Sequence, residues 1–213
     1  MQAVITGDLI DSTKYSVAAL NHILDVMNNE FDCLKESLAA EFRIFRGDSF
    51  QGVITTPSNA LEASLLLKTA VNMIPNETKQ GLVDFRMAIG LGAIDLKRDS
   101  ILESNGEAFQ LSGKALDSMK GDYPRIVLKT TNADVNDEFK VHFSLFDSLT
   151  SKWSVASAEV VYYVLKGYKE REIAAKLGVN QSAINHRKKA ANWDSIALLL
   201  QRYKKVVTTL NQG

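Results

Sequence analysis

Hydrophobic periodicity switches twice along the first 130 residues from a strand-like run to a helical repeat and back, and that order limits the folds available. Residues 2–7 (QAVITG) are a short apolar run closed by Gly7, the mark of a buried strand. Ser12 or Thr13 then offers a helix N-cap. Val17, Leu20, Leu24, Met27, Phe31, Leu34 and Leu38 follow at spacings of three and four, one stripe of a long amphipathic helix. Within 42–54 the runs FRIFR and SFQGVI meet at Gly47-Asp48, a hairpin signal with the aspartate at the turn. Pro57 opens a second helix with one apolar and one polar face (Ala60, Leu61, Ser64, Leu65, Lys68), and Pro75 closes it. In 84–94, Phe85, Met87, Ile89 and Leu91 alternate with Arg86, Ala88, Gly90 and Gly92. The small residues on the second face admit another backbone or a ligand. Residues 106–119 read as a helix, 125–130 (RIVLKT) as a strand and 134–150 as a helix. The strand–helix–strand–strand–helix–strand order predicts an α+β, ferredoxin-like (split βαβ) sheet with helices on one face.

The last third of the chain has a different character. Residues 157–166 read as a helix ending at Lys166-Gly167. A second, 169–177, carries Ile173, Ala174 and Leu177 and stops at Gly178. A third starts at Gln181-Ser182 with Ala183, Ile184, Ala190 and Ala191 inward. Two short helices around a glycine turn, the second polar and basic, predict a small all-α helix-turn-helix domain. Its third helix would turn Gln181, Ser182, Asn185, His186 and Arg187 toward a DNA groove, with Lys188, Lys189, Arg202, Lys204 and Lys205 toward phosphates. Residues 1–150 hold 14 Lys and Arg against 21 Asp and Glu, whereas 151–213 hold 11 against 4. That asymmetry divides the chain into domains 1–150 and 151–213. It suggests double-stranded DNA as partner of the second; the alternative is a basic end that docks on the acidic body or serves dimerisation.

Bulk composition excludes several classes. With 213 residues, 46% hydrophobic and 23% charged, the chain is neither disordered nor fibrous. No apolar run approaches the roughly 18 residues that span a bilayer, and MQAVITGDLI lacks the basic start and cleavage site of a signal peptide. A lone cysteine, Cys33, rules out an internal disulfide and agrees with a cytoplasmic location. Three scattered histidines give no metal-ligand spacing.

Chemistry concentrates in two segments, Ile5-Thr6-Gly7-Asp8-Leu9-Ile10-Asp11-Ser12-Thr13 and Arg46-Gly47-Asp48-Ser49-Phe50-Gln51. Each brings an aspartate to the point where a strand gives way to a turn. Two carboxylates from adjacent strand ends can hold hard cations and, through them, a triphosphate. A turn running into a helix presents free N–H donors to an anion.

The order of these motifs resembles the class III nucleotidyl cyclases, in which a strand ends in Asp-Ile-x-Gly-Phe-Thr and a Gly-Asp hairpin follows some forty residues later. The resemblance implies metal ligands (Mg²⁺ or Mn²⁺) at Asp8 and Asp48, with the Leu9, Ile10, Asp11, Ser12 and Thr13 backbone near phosphate. Gly106–Lys114 is similar to the family's Gly-x-x-x-Asn-x-x-x-Arg helix, which puts Gln110 in the place of the ribose-orienting Asn and Lys114 in that of the transition-state Arg. Glu103 falls where purine-specifying members carry an acid, and Ile44 where they carry a base-contacting Lys. Lys114 lacks the planar fork of Arg, and Gln110 is longer by a methylene, so the metal-and-phosphate half looks retained and the catalytic half altered. The resemblance also implies a homodimer, with the two halves of each site from different chains; such a dimer would space two recognition helices about one DNA turn, roughly 34 Å, apart.

Over nearly its whole length the chain further resembles the SatD family, through AVITGDLIDS, RGDSFQ and NQSAINHRKKA. The combined expectation is a DNA-binding regulatory protein whose degenerate cyclase-like domain senses a nucleotide and metal. The alternative is an active nucleotidyl cyclase or nucleotidyltransferase, converting NTP to cyclic nucleotide and pyrophosphate with two metal ions.

Overall fold

The computed structural model describes residues 1–45, 47–78, 81–94, 105–119 and 124–211. Its elements are mixed α and β. They run β1 (Gln2–Leu9), α1 (Val17–Leu38), β2 (Ala40–Phe45), β3 (Ser49–Ile54), α2 (Ala60–Asn72), β4 (Phe85–Gly92), α3 (Glu107–Ser118), β5 (Ile126–Lys129) and α4 (Ala133–Thr150). Then come α5 (Val155–Leu165), α6 (Glu170–Leu177), α7 (Gln181–Ala190) and α8 (Trp193–Leu210). The strands make one mixed sheet in the order β2-β3-β1-β4-β5. β1 lies antiparallel to both β3 and β4, β2 antiparallel to β3, and β5 parallel to β4. The first four strands therefore have the expected split βαβ order, extended at one edge by β5.

Period-two alternation decides which face each side chain takes. Ile5, Phe42, Phe50, Phe85, Met87 and Ile89 are buried in the main core with α1 and α2. There Phe31 stacks on Phe42 at 5.0 Å, and Phe50 meets Phe85 edge-on at 5.0 Å. Each such ring stabilises the fold by about 1.5–3 kcal/mol through area removed from water.

The expectation of helices on one face does not hold, because α3 packs on the other. A Cβ at Gly90 would lie 2.3 Å from the Ala108 carbonyl oxygen and 2.6 Å from Ser112 N, and one at Gly92 2.6 Å from Glu107 Oε2. The small-residue face of β4 thus admits a helix backbone, one of the two visitors the sequence allowed. Across it the Thr6 and Ser112 hydroxyls lie 2.9 Å apart, buried, and Gln51 Nε2 donates to Thr6 Oγ1 at 3.2 Å.

Two local expectations also change. The N-cap of α1 is Ser16, whose side chain accepts from Ala19 N at 3.2 Å; Ser12–Lys14 forms a separate 3₁₀ turn instead. Helix α2 has no solvated polar face, since Ser64, Lys68, Thr69 and Asn72 are all buried. Ser64 and Thr69 hydroxyls turn back to the Ala60 and Leu65 carbonyls, and Lys68 and Asn72 reach Asp84 and the Val83 carbonyl. The cover over α2 comes from the C-terminal helices. The core is continuous across residue 150, joining Leu61, Leu65 and Val71 to Val160, Val161, Ile196, Tyr203 and Val207. Fully buried Tyr203 donates to the Pro57 carbonyl at 3.2 Å.

Candidate nucleotide and metal site

Strand register brings the two aspartates to one end of the sheet. Asp8 stands opposite Ser49 on β3 and opposite Arg86 on β4. Leu9 N–H donates to the Asp48 carbonyl at 3.3 Å, closing β1 onto the hairpin turn. That turn is made by Gly47 at φ 75°, a left-handed conformation that glycine adopts without penalty.

The two carboxylates differ in their partners. Asp8 is gripped on both oxygens by Arg86, with Nη2 2.7 Å from Oδ2 and Nε 3.2 Å from Oδ1, while Arg86 Nη1 donates to the Met119 carbonyl at 3.1 Å. The Asp48 carboxylate has no side-chain partner among the described residues. Also among the described residues, no group of three or more His, Cys, Asp or Glu side chains is placed to hold a metal. A pair of carboxylates still suits Mg²⁺ that arrives on a nucleotide, because that ion takes one or two carboxylates and completes its shell with phosphate oxygens and water. Each Asp8 oxygen keeps a further lone pair beside its bond to Arg86. The donor set therefore fits a hard cation carried by a triphosphate, with Asp8 shared and Asp48 lacking a side-chain partner among the described residues.

The turn after β1 is narrower as an anion cradle than expected. Leu9 N–H is taken by the Asp48 carbonyl and Ile10 N–H by the Asp84 carbonyl at 2.9 Å, so neither is available to phosphate. The Asp11, Ser12 and Thr13 N–H groups make no backbone hydrogen bond among the described residues. Asp11 adopts φ 57°, ψ 27°, a left-handed conformation that asparagine and aspartate tolerate. The first turn of α1 already holds an anion, since Glu77 accepts from both Ser16 N and Ser16 Oγ. Burial, and then the charges of Asp11, Asp84 and Glu77, hold the Tyr15 hydroxyl above its usual pKa. Lys14 lies 3.0 Å from Asp11 and Lys68 2.6 Å from Asp84, so two of these three carboxylates already have a cation beside them.

Beside the turn a polar cavity of about 330 Å³ reaches inward between α2 and the α4–α5 connection, lined by Asp11, Tyr15, Lys68, Asp84, Arg125 and Trp153 among others. Its charges are matched internally. Lys68 Nζ lies 2.6 Å from each Asp84 oxygen, and Arg125 Nε lies 3.9 Å from Oδ2. Behind it Asp147 accepts from Arg125 N at 2.7 Å through Oδ2, while its buried Oδ1 has no partner among the described residues.

The remaining expected site residues are dispersed. Gln110 and Lys114 are exposed one turn apart on α3, and neither bonds to Asp8 or Asp48 among the described residues. Ile44 packs toward the α1 core, opposite Phe50 and on the face away from Asp8. Glu103 lies outside the described residues.

The model of the SatD family matches residues 2–210. This chain belongs to the SatD family. None of the curated proteins compared with it matches. Among solved structures it is similar to a dimeric guanylyl cyclase domain of the RhoGC fusion protein from the aquatic fungus Blastocladiella emersonii, at 13% identity and a TM-score of 0.45, over 56% of this chain and 74% of that one. It is similar also to the guanylyl cyclase Cya2, at 15% identity and a TM-score of 0.41, over 60% and 73%. A third likeness is to the GGEEF domain of a diguanylate cyclase from Vibrio cholerae, at 12% identity and a TM-score of 0.43, over 62% and 83%.

In this SatD family member the residues assigned to DNA are only partly free. Gln181, Ser182, Asn185, His186 and Lys189 are exposed on α7. Arg187 instead pairs with Glu159 at 3.0 Å and Lys188 with Glu170 at 2.7 Å, and Gln181 Nε2 lies 3.5 Å from Glu170. Lys166, Arg202 and Lys204 pair with Glu30, Glu138 and Glu62 of the acidic body at 2.8, 2.7 and 2.6 Å. Docking onto the acidic body thus takes up part of the basic surplus, as the alternative reading of the charge asymmetry had it. No helix among the described residues is long and apolar enough to cross a membrane.

The sequence reading passed over Arg86 and Glu77. Arg86 did carry a signal, as the first member of the β4 face that also holds Gly90 and Gly92. Glu77 carried none.

Proposed function

We propose that this SatD chain binds a nucleoside triphosphate with Mg²⁺ or Mn²⁺ at the end of β1 and the β2–β3 turn, as a nucleotidyl cyclase or related nucleotidyltransferase. The observation that carries the reading is the meeting of Asp8 and Asp48 at neighbouring strand ends, near Asp11, Ser12 and Thr13, whose N–H groups make no backbone hydrogen bond among the described residues. The aspartates would hold the cation, and the cation would carry the phosphates to the two carboxylates. The metal supplies Lewis acidity at phosphorus and lowers the pKa of the attacking hydroxyl. Gln110 and Lys114 are exposed and bond to neither aspartate among the described residues, so their contribution would come from a second copy in a homodimer.

Incubation with each NTP and Mg²⁺ or Mn²⁺ is expected to release pyrophosphate, and Asp48→Asn to abolish that release while leaving the fold intact by circular dichroism. Thermal stabilisation by an NTP only when metal is present would mark binding without turnover. Neither release nor stabilisation with any NTP removes the reading.

The exposed row Gln181, Ser182, Asn185, His186 and Lys189 favours a second reading, in which residues 151–213 bind DNA and the nucleotide regulates that binding. With Arg187 and Lys188 paired internally, this face has fewer cations for phosphate than its composition suggests. Sequence-selective, salt-sensitive binding in fluorescence titrations supports it, and equal affinity for all sequences sinks it.

A further inference from the structure

We infer that Arg86 is a resident counter-ion of Asp8, displaced when a divalent cation enters with its triphosphate, and that its guanidinium then passes to the phosphates. The inference rests on the triphosphate reading above and adds how that site is kept when empty and how it is loaded.

Four observations lead here. First, Arg86 occupies the residue of β4 directly opposite Asp8, and its planar fork meets both carboxylate oxygens at 2.7 and 3.2 Å. The same fork geometry matches phosphate equally well. Second, the Asp8 side chain is only 23% exposed, so its charge needs a nearby cation whenever no metal is bound. Third, the pairing is one-sided, since Asp48 is left without a side-chain partner among the described residues. Arg86 therefore reduces the pair from two negative charges to one and lowers its attraction for a free metal ion. Fourth, Lys114 is the one cation of α3 and is exposed, and among the described residues Arg86 is the guanidinium paired at the aspartate edge.

The consequence is ordered loading. A bare cation must compete with Arg86 for Asp8, whereas a cation bringing a triphosphate offers the displaced guanidinium a new partner. Metal and triphosphate then bind with positive coupling. The third Arg86 contact, to the Met119 carbonyl just past α3, ties this exchange to the end of the helix that bears Gln110 and Lys114.

The test is titration of the full chain with Mn²⁺, with free Mn²⁺ read by electron paramagnetic resonance, with and without inorganic tripolyphosphate. Wild type is expected to bind Mn²⁺ weakly alone and more tightly with tripolyphosphate. Arg86→Gln should bind Mn²⁺ alone about tenfold more tightly, the scale on which one neighbouring charge acts, and should lose most of the gain from tripolyphosphate. Arg86→Lys keeps the charge without the fork and should fall between the two, which also covers a Gln variant that folds poorly. Mn²⁺ affinity equal to wild type in both variants overturns the inference. Failure of the functional reading looks different: wild type and Asp48→Asn would bind Mn²⁺ with tripolyphosphate equally, while the Mn²⁺-only comparison would still decide the role of Arg86.

Discussion

Asp147 shows most directly how one residue's surroundings become a measurable property of this molecule. It is 2% exposed, one oxygen accepts from Arg125 N, and the other has no partner among the described residues. Burial raises its pKa from 3.8 to about 6, against the lowering effects of the Arg125 N–H and of Lys68. Between those two values the folded chain holds a proton that the unfolded chain has released. Stability from this group therefore rises as pH falls from about 6 toward 4, and the charged carboxylate is a net cost above that window. At about 1.4 kcal/mol per unit the whole effect is on the order of 3 kcal/mol. The stability of wild type relative to Asp147→Asn should thus grow by about 1–3 kcal/mol between pH 7.5 and 4.5 in urea denaturation; parallel pH profiles would count against it. Nothing in the sequence singled out Asp147. Its burial depends on α4 meeting the Lys68–Asp84–Arg125 cluster, and those contacts join residues far apart in the chain. The partner of Arg86 was hidden for the same reason, though its place on the β4 face was not: its pairing with Asp8 spans 78 positions and exists only in one strand register.

At the scale of elements, α3 is the case where chemistry and packing meet. Its seat depends on β4 having no side chain at Gly90, where the nearest helix backbone atom would lie 2.3 Å from a Cβ. Gly90→Ala should push α3 outward and cost about 1–3 kcal/mol, the usual range for overfilling a packed contact. The loss should appear in urea denaturation with no change in slope. A cost below about 0.5 kcal/mol, typical of a surface change, would mean that α3 is free to shift on the sheet. The elements themselves were mostly legible. Alternation in 84–94 gave both faces of β4, the repeat from Val17 to Leu38 gave α1, and Gly178 at φ 64° gave the stop of α6. What local pattern could not show was placement. The same small-residue face admits a ligand or a helix, and sequence order alone does not say on which side α3 lies. The polar residues of α2 looked solvent-facing because their cover comes from helices more than eighty positions later. In helix α8, Ile196, Leu199, Tyr203 and Val207 repeat at helical spacing and are buried, but Arg202, Lys204 and Lys205 break the stripe into a pattern that also suits a basic, solvated segment.

For the whole molecule the question is whether residues 151–213 behave as an appendage or as part of the fold. Tyr162 OH donates to Glu30 at 2.7 Å and Lys166 lies 2.8 Å from the same buried carboxylate, joining α5 to α1. Trp153 Nε1 donates to the Ala191 carbonyl at 3.1 Å, joining the α4–α5 connection to the end of α7. Leaving Glu30 unpaired in that setting would cost more than its ion pair contributes, so the contacts favour all-or-none opening. Hydrophobic area continues across the same boundary, since α2 is covered by α5 and α8 and Phe139 meets Tyr203 edge-on at 5.5 Å. Removing the C-terminal helices would expose the buried faces of α2 and α4 to water. The chain should therefore unfold in one cooperative step despite its opposite charge balances. Both tryptophans, Trp153 and Trp193, lie beyond residue 150, which makes the expectation easy to check. Tryptophan fluorescence reports the C-terminal helices and, through Trp153 edge-on to Phe146 at 6.4 Å, their seat on α4, whereas amide exchange in β1 and β4 reports the sheet. Coincident urea midpoints for the two signals, with one slope, are expected of a two-state transition. A fluorescence transition well below that of the sheet would instead make residues 151–213 a separately folding unit, free to move relative to the proposed site at Asp8 and Asp48.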